Sequence, residues 1–521
     1  MKTSRRNFIK TASISSLGFG LLPNLNLFDT ELDIFSLSNF ARKSPESQGI
    51  LSKGILDFLK AAKESGLEWH SFMLMRHGNV VAEGWWKPFE SDFKHTLYSL
   101  SKSFTSTAIG FLVQEGKIKV DDQVISFFKD ETPQSPSDNL KAMKIKHLLT
   151  MNTGHDKVLA LRESTNSWVK MFLEQEVKFE PSTHFLYNTP ATYMLGAIIH
   201  KVTGQKLEDY LAPRLFQPLC IKGYDWETSP EGLNTAGYGL RVKTEDIAKL
   251  GQFYLQKGKW NGKQLLSEAW VNEATSKQTT SQEGDNDMSQ GYGYQFWRCK
   301  PGFYRGDGAF GQFCMVMPEQ DAVLAMTCES FNLQKTMNVA YETLLPAMQS
   351  GVLADNPTEA NALKSALKNL ELPIPKGKTQ SPLSPQYHDK DFIVEKNSYG
   401  ILESEFIFSK DACTWELLTA AGETKIKFGW ENWHLNKGIP KNLFPVANRT
   451  HMPSKMAGTA TWLTDNTLQL NLKFVEATHG DKITCVFEGD KVSISFLNSV
   501  AENSKNVPEK REALVGRLKK E

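Results

Sequence analysis

The sequence predicts an α+β protein in which an antiparallel sheet flanked by helices is followed by a smaller domain of strands. Three observations carry that prediction. Strand patterns open and close the first part of the chain while helical periodicities fill its middle, so both ends complete one sheet. Pro, Lys and Ser then gather between about Glu371 and Gln386, as in a linker. Beyond the linker the clearest signal is strict alternation of apolar and polar residues.

In order, apolar residues recur at helical spacing from Gly49 to about Gly66. Ser71–Arg76 and Val80–Trp85 then flank His77-Gly78-Asn79 as a β-hairpin. Ser99–Gln114 reads as a helix with Leu100, Phe104, Ala108, Phe111 and Leu112 on one side and Gly116 as its stop. Helical patterns continue at Ile145–Met151, Pro190–Thr203 and Thr244–Gln256, and strand patterns return at Gly291–Arg298 and Gln312–Thr327. After the linker come Leu468, Leu470, Leu472 and Phe474, then Ile483, Cys485 and Phe487. The turn Glu488-Gly489-Asp490 leads to Val492, Ile494 and Phe496, completing a β-meander. The charged tail Pro508–Glu521 reads as a short surface helix.

A chain of 521 residues with 40% hydrophobic content buries at least one large core, which excludes a disordered or collagenous protein. Lys plus Arg number 60 and Asp plus Glu 59, so no long-range field favours nucleic acid or an anionic membrane. The expected partner is a small molecule or a polymer fragment. Six scattered cysteines form no Cys-x-x-Cys pair and have no histidine at zinc-site spacing, so neither a metal nor another cofactor is expected. Cys485 lies in an alternating strand pattern and reads as a small buried hydrophobe; any disulfide pairing stays open. At the N-terminus, Ser4-Arg5-Arg6-Asn7-Phe8-Ile9-Lys10 precedes a short, weakly polar stretch from Thr11 to Leu22 and resembles a twin-arginine export signal, implying a periplasmic protein. No later segment has the roughly 18 apolar residues of an integral membrane span.

Ser-x-x-Lys at the start of a helix puts a hydroxyl and an amine one turn apart on one face. Ser99-Leu100-Ser101-Lys102 has this form, as do Ser167-Trp168-Val169-Lys170 and Ser365-Ala366-Leu367-Lys368, which read as surface segments. Context separates the first: it follows the extended stretch Lys94–Tyr98 and opens an apolar helix whose N-terminal amides suit an oxyanion. Lysine is a poor base at neutral pH, its ordinary pKa being about 10.4, so burial and a second group are needed. Tyr187, in Phe185-Leu186-Tyr187-Asn188-Thr189, supplies a phenol for that purpose.

These segments and others, in the same order, resemble the serine β-lactamase (class C) and penicillin-binding-protein-like serine hydrolases. Tyr98–Phe104 resembles the family's nucleophile helix, Ile145–Gly154 the segment after it, and Phe185–Gly196 the stretch bearing Tyr-x-Asn. Leu215–Leu219, Gly237–Leu240 and Asp246–Gly251 also fit, and the resemblance spans roughly Ser44–Met348. It implies a β-lactamase/DD-peptidase-like fold and an acyl-enzyme formed on Ser99, with Lys102 and Tyr187 moving its proton. It also implies an oxyanion held by the Ser99 amide and one near Gly308 and Ala309. The implied organisation is an export signal at 1–30, a hydrolase domain at 40–350, a helix and Pro-rich linker at 351–388, a lipocalin-like β-barrel domain at 389–500 and a charged tail at 501–521.

Two departures bear on substrate. Thr189 stands where the family has Asn, and Gly306-Asp307-Gly308 stands where it has Lys-Thr-Gly. A glycine cannot grip a substrate carboxylate as lysine does; Arg305 could, and Asp307 would repel it if it faced the pocket rather than forming a turn. The expected substrate is therefore an ester or small amide. β-Lactamase or DD-peptidase activity, and a weakly catalytic binding or sensor role, stay open as alternatives, as does the oligomeric state. Other features have plainer readings: His155-Asp156 as a turn cap, Tyr292, Tyr294, Phe296 and Trp297 as core, and Trp85 and Trp86 as core or pocket. No Gly-x-Ser-x-Gly elbow is present, which argues against an α/β-hydrolase.

Overall fold

Helix α1 (Ser52–Glu64) leads into β1 (Glu68–Arg76), which reverses into β2 (Asn79–Trp85) through His77 and Gly78. Both turn residues have positive φ, 50° and 73°, as a tight hairpin between twisted strands requires. The computed structural model describes residues 40–438, 443–444, 454–504 and 506–520. The twin-arginine motif and the expected signal at 1–30 lie outside the described residues.

The 3-10 turn Tyr98–Leu100 runs into α2 (Ser101–Gln114), and α3 (Thr189–Thr203) and α4 (Thr244–Leu255) follow in the middle of the domain. The sheet is then finished by β3 (Trp297–Arg298), β4 (Tyr304–Gly308), β5 (Gln312–Met317) and β6 (Ala322–Glu329). Its order is β2-β1-β6-β5-β4-β3 and every pairing is antiparallel. β1 lies against β6, so the two ends of the domain do meet in one sheet, as expected. One face packs on α2–α4 and their neighbours through Met73, Phe104, Leu250 and Val316. The other packs on α1, α5 (Leu333–Ala347) and α6 (Pro357–Lys368) through Phe72, Phe313, Met326 and Leu363.

Two elements differ from expectation. Helix α2 is not one-sided: every residue from Ser101 to Leu112 is buried. Most of its small polar residues survive there by finding a partner, as Thr105 does with the Ala236 carbonyl (2.8 Å) and Thr107 with the Tyr254 hydroxyl (2.8 Å), while the Ser106 hydroxyl is buried without one. The segment expected as a strand at Gly291–Arg298 is extended only at Trp297–Arg298, because Gln295 takes φ 64° and folds the chain back. The Gln295 side chain is tied to the Leu148 and Leu149 carbonyls (3.1 and 2.7 Å) and to Thr192 (2.7 Å).

The proline-rich stretch is docked rather than loose. Leu372 donates its amide to the Lys87 carbonyl (2.7 Å), Lys378 exchanges hydrogen bonds with Trp462, and residues 40–521 form one compact unit. Among the described residues ten further strands follow, from Asp391–Val394 to Leu514–Leu518. Nine close into a barrel where Gly422–Trp430 pairs with Lys455–Trp462, around a core that includes Phe406, Trp415, Trp462 and Phe487. The predicted meander is Thr467–Lys473, Gly480–Glu488 and Lys491–Asn498. The tail corrects the expected helix: Leu514–Leu518 is a strand between Asp391–Val394 and Lys491–Asn498. Leu514 is buried, and Gly516 lies so close to Phe392 that a Cβ there would stand 2.9 Å from its Cβ, a period of two that a helix cannot satisfy. All six cysteines are free thiols; Cys220 is half-buried and the others, Cys485 among them, are buried.

Candidate active site

Ser99 sits in the 3-10 turn at the mouth of α2, half-buried, and Lys102 follows one turn later on the same face. Lys102 Nζ lies 2.9 Å from Ser99 Oγ. It also donates to Thr189 Oγ1 (3.1 Å), at the start of α3, and to the Gly237 carbonyl (2.7 Å). Burial pulls the Lys102 amine down to about 7 against the opposing pull of Asp307. The Gly237 carbonyl can only accept, whereas the Ser99 hydroxyl can donate as well as accept, so the same geometry suits the ammonium and the neutral amine whose lone pair faces Ser99.

Tyr187 is the third member. Its ring lies 5.0 Å from Lys102 Nζ, and its phenol faces Ser99. Burial, reinforced by Asp307, pushes that phenol well above its ordinary value, so it holds its proton at neutral pH. Trp297 stacks on the Tyr187 ring at 5.5 Å and Tyr292 meets it edge-on at 6.0 Å, which gives these core aromatics a supporting role.

β4 brings the opposite wall. Cβ atoms built at Gly306 and Gly308 would stand 2.3 Å from Leu100 Cδ1 and 2.1 Å from the Leu97 carbonyl, so only glycine lets this strand lie on the turn that carries Ser99. That contact, with the Phe310 ring 5.3 Å from that of Tyr98, brings the chain just beyond β4, at Ala309, beside the Tyr98–Leu100 turn. Among the described residues, neither the Ser99 nor the Ala309 amide donates to a backbone carbonyl. Arg305 and Asp307 are buried on β4 and bound to each other, Nε to Oδ2 at 2.9 Å. Arg305 also donates to the Arg298 carbonyl (3.1 Å). The guanidinium is thus withdrawn from any substrate, and Asp307 is a strand residue rather than part of a turn.

A cavity of about 290 Å³ opens beside Ser99, lined by Tyr98, Leu159, Leu161, Trp168, Tyr193 and Tyr238 among others. Its cation, Arg162, is paired with Glu227 at 3.2 Å and lies over the Tyr238 ring. Outside the site, His155 is fully buried, bonded to Thr153 (2.8 Å) and pushed down to about 4 by burial, while Asp156 pairs with Lys178 instead. Ser167 caps a surface helix through the Lys170 amide, and Ser365 is exposed. Reasoning from sequence did not find the Gly237 carbonyl or the partners of Tyr98. Gly237 lies 135 residues from Lys102, and only the run Gly237-Tyr238-Gly239 hints at a close backbone approach.

Comparison with known proteins adds to this geometry. A beta-lactamase family model matches residues 62–347, more than half of the chain. A beta-lactamase of Escherichia coli is 25% identical over 229 residues, 39% of this chain and 58% of that protein. A 6-aminohexanoate-dimer hydrolase of Paenarthrobacter ureafaciens is 23% identical over 278 residues, 49% and 71% of the two chains. Among solved structures, the octameric penicillin-binding protein homologue from Pyrococcus abyssi matches with 16% identity and TM-score 0.46, over 89% of this chain and 99% of that one. With its Ser-x-x-Lys turn packed under a glycine-bearing strand of an antiparallel sheet, the chain belongs to the beta-lactamase family of serine hydrolases.

Proposed function

We propose that the protein hydrolyses an uncharged ester or small amide through an acyl-enzyme on Ser99. The observation that carries this reading is the Lys102 amine, buried, drawn down to about 7 and within 2.9 Å of Ser99 Oγ. Neutral Lys102 removes the Ser99 proton as Oγ attacks the carbonyl carbon, and the oxyanion lies between the Ser99 and Ala309 amides. Tyr187, held protonated, donates to the departing alkoxide or amine as the acyl bond breaks, and is reprotonated from Lys102. Water then repeats the sequence on the acyl-enzyme and frees the acid.

The preference for an uncharged acyl group rests on Arg305, which is fully buried and bound to Asp307, and on an apolar, aromatic cavity whose Arg162 is already paired. A substrate carboxylate would find no such cation waiting, which lowers β-lactam and peptide-terminus hydrolysis beneath ester hydrolysis. The N-terminal Ser4–Lys10 motif supports export to the periplasm as part of the same reading.

The test is turnover of p-nitrophenyl acetate and of a chromogenic cephalosporin by the wild type and Ser99→Ala. Ester turnover that vanishes in the variant, with little cephalosporin turnover, is the expected result. Faster cephalosporin than ester turnover would restore β-lactamase, and equal turnover by both proteins would remove Ser99 from the chemistry.

A further inference from the structure

The two amides assigned to the oxyanion are flanked by aromatic residues in a backbone conformation that such residues seldom adopt. Tyr98, just before Ser99, has φ 46°, and Phe310, just after Ala309, has φ 64°. Bulky residues stay in this left-handed region only where their surroundings hold them. One side chain touches both, and it comes from the barrel. His479, in the turn between Thr467–Lys473 and Gly480–Glu488, places Nε2 2.8 Å from the Tyr98 hydroxyl. The same imidazole meets the Phe310 ring edge-to-face, with centroids 4.6 Å apart, and Tyr98 and Phe310 meet each other at 5.3 Å.

The imidazole is itself fixed. Its Nδ1 lies 2.6 Å from Glu329 Oε1, at the end of β6. The Glu329 carboxylate can only accept, so Nδ1 carries the hydrogen and, in the neutral ring, Nε2 is left to accept from Tyr98. Glu329 is also held by Ser499 Oγ (2.5 Å), which takes a hydrogen bond from the Gly480 amide (3.1 Å) next to His479. The chain Glu329–His479–Tyr98 therefore runs from the hydrolase sheet through the barrel and back to the residue before the nucleophile. His479 does not line the cavity beside Ser99.

We propose that His479 is a positioning residue for the hydrolase site: by clamping Tyr98 and Phe310 it sets the two oxyanion amides, so the barrel is part of the catalytic apparatus. The proposal rests on Ser99 as nucleophile. His479 itself stands outside the substrate cavity, so removing the clamp acts mainly by misplacing the amides and lowers kcat more than it changes KM. Misplacement on the scale of an ångström costs on the order of 100-fold in rate.

The experiment measures kcat and KM for p-nitrophenyl acetate, with thermal melting, in full-length wild type, His479→Ala, His479→Gln, Tyr98→Phe and the double variant Tyr98→Phe/His479→Ala, with Ser99→Ala as reference. His479→Ala should lose roughly 10- to 100-fold in kcat with KM changed less than about twofold. His479→Gln, whose amide can still bridge Glu329 and Tyr98, should recover part of the loss. Tyr98→Phe should lose less than His479→Ala, and the double variant should be no slower than His479→Ala alone. A folded His479→Ala with wild-type kcat overturns the proposal while leaving Ser99 untouched. If that variant does not fold, an unchanged kcat in Tyr98→Phe overturns it, since that substitution removes the same hydrogen bond without opening a gap. Turnover that survives in Ser99→Ala overturns the nucleophile and this proposal together.

Discussion

At the scale of single residues, the proposed chemistry rests on how three acceptors share one amine. Ser99 and Lys102 are legible in the sequence because Ser-x-x-Lys spacing alone puts them on one helical face. Its other two acceptors are not legible as lysine partners, since Thr189, read from the sequence only as a substrate-side residue, and Gly237 lie 87 and 135 residues away and arrive there by tertiary packing. With Lys102 drawn down to about 7, kcat/KM should rise with pH through a limb centred near 7, because only the neutral amine takes the Ser99 proton. A pH–rate profile checks this. Asp307 favours the ammonium, so Asp307→Asn should move that limb to lower pH. Lys102→Met should remove the limb and lower kcat by about 10² to 10⁴. Arg305 shows the converse limit of reading residues singly: its charge suggested a substrate anchor, but its paired neighbour Asp307 lies on the same strand face and consumes it.

At the scale of elements, the site is a turn pressed against a strand. Periodicity predicted α2, the β1–β2 hairpin and the paired end strands, because each has a strong pattern of its own. It missed that α2 is buried on all sides, since Ser, Thr and Gly read as solvent-facing until their partners, such as Ala236 and Tyr254, are known. It also ran a strand through Gly291–Phe296, where Gln295 instead turns the chain to serve three buried polar groups. The glycines of β4 carry a tight constraint at the site. Gly308→Ala would drive a Cβ to 2.1 Å from the Leu97 carbonyl, a backbone atom that cannot swing aside. The expected result is displacement of the Ala309 amide and a loss of about 10² to 10³ in kcat, as for removal of an oxyanion donor. Steady-state kinetics on the folded variant, with circular dichroism to verify the fold, would read it.

At the scale of the whole molecule, a partly buried ionic chain joins the two parts. Lys473 of the barrel lies 2.6 Å from Glu68 on β1 and 3.6 Å from Glu329 on β6. Burial alone would raise the Glu68 carboxyl, yet Lys473 and His70 hold it at about 2. Lys473→Met should leave the half-buried Glu68 and the buried Glu329 with only His70 and His479 as basic partners, read as a lower urea midpoint at neutral pH. The barrel's meander was legible from its alternation. Its last strand was not, because the charges around Leu514 and Gly516 hide a two-residue period of only five residues. Nor could any spacing rule link His479 to Tyr98 across 381 residues. The central claim is that one hydroxyl carries the acyl group, and it is tested most directly by peptide mass spectrometry of full-length protein treated with a fluorophosphonate probe. A single phosphonyl adduct on the peptide bearing Ser99, absent from Ser99→Ala, is the predicted result; an adduct on any other residue, or none in the wild type, would contradict it.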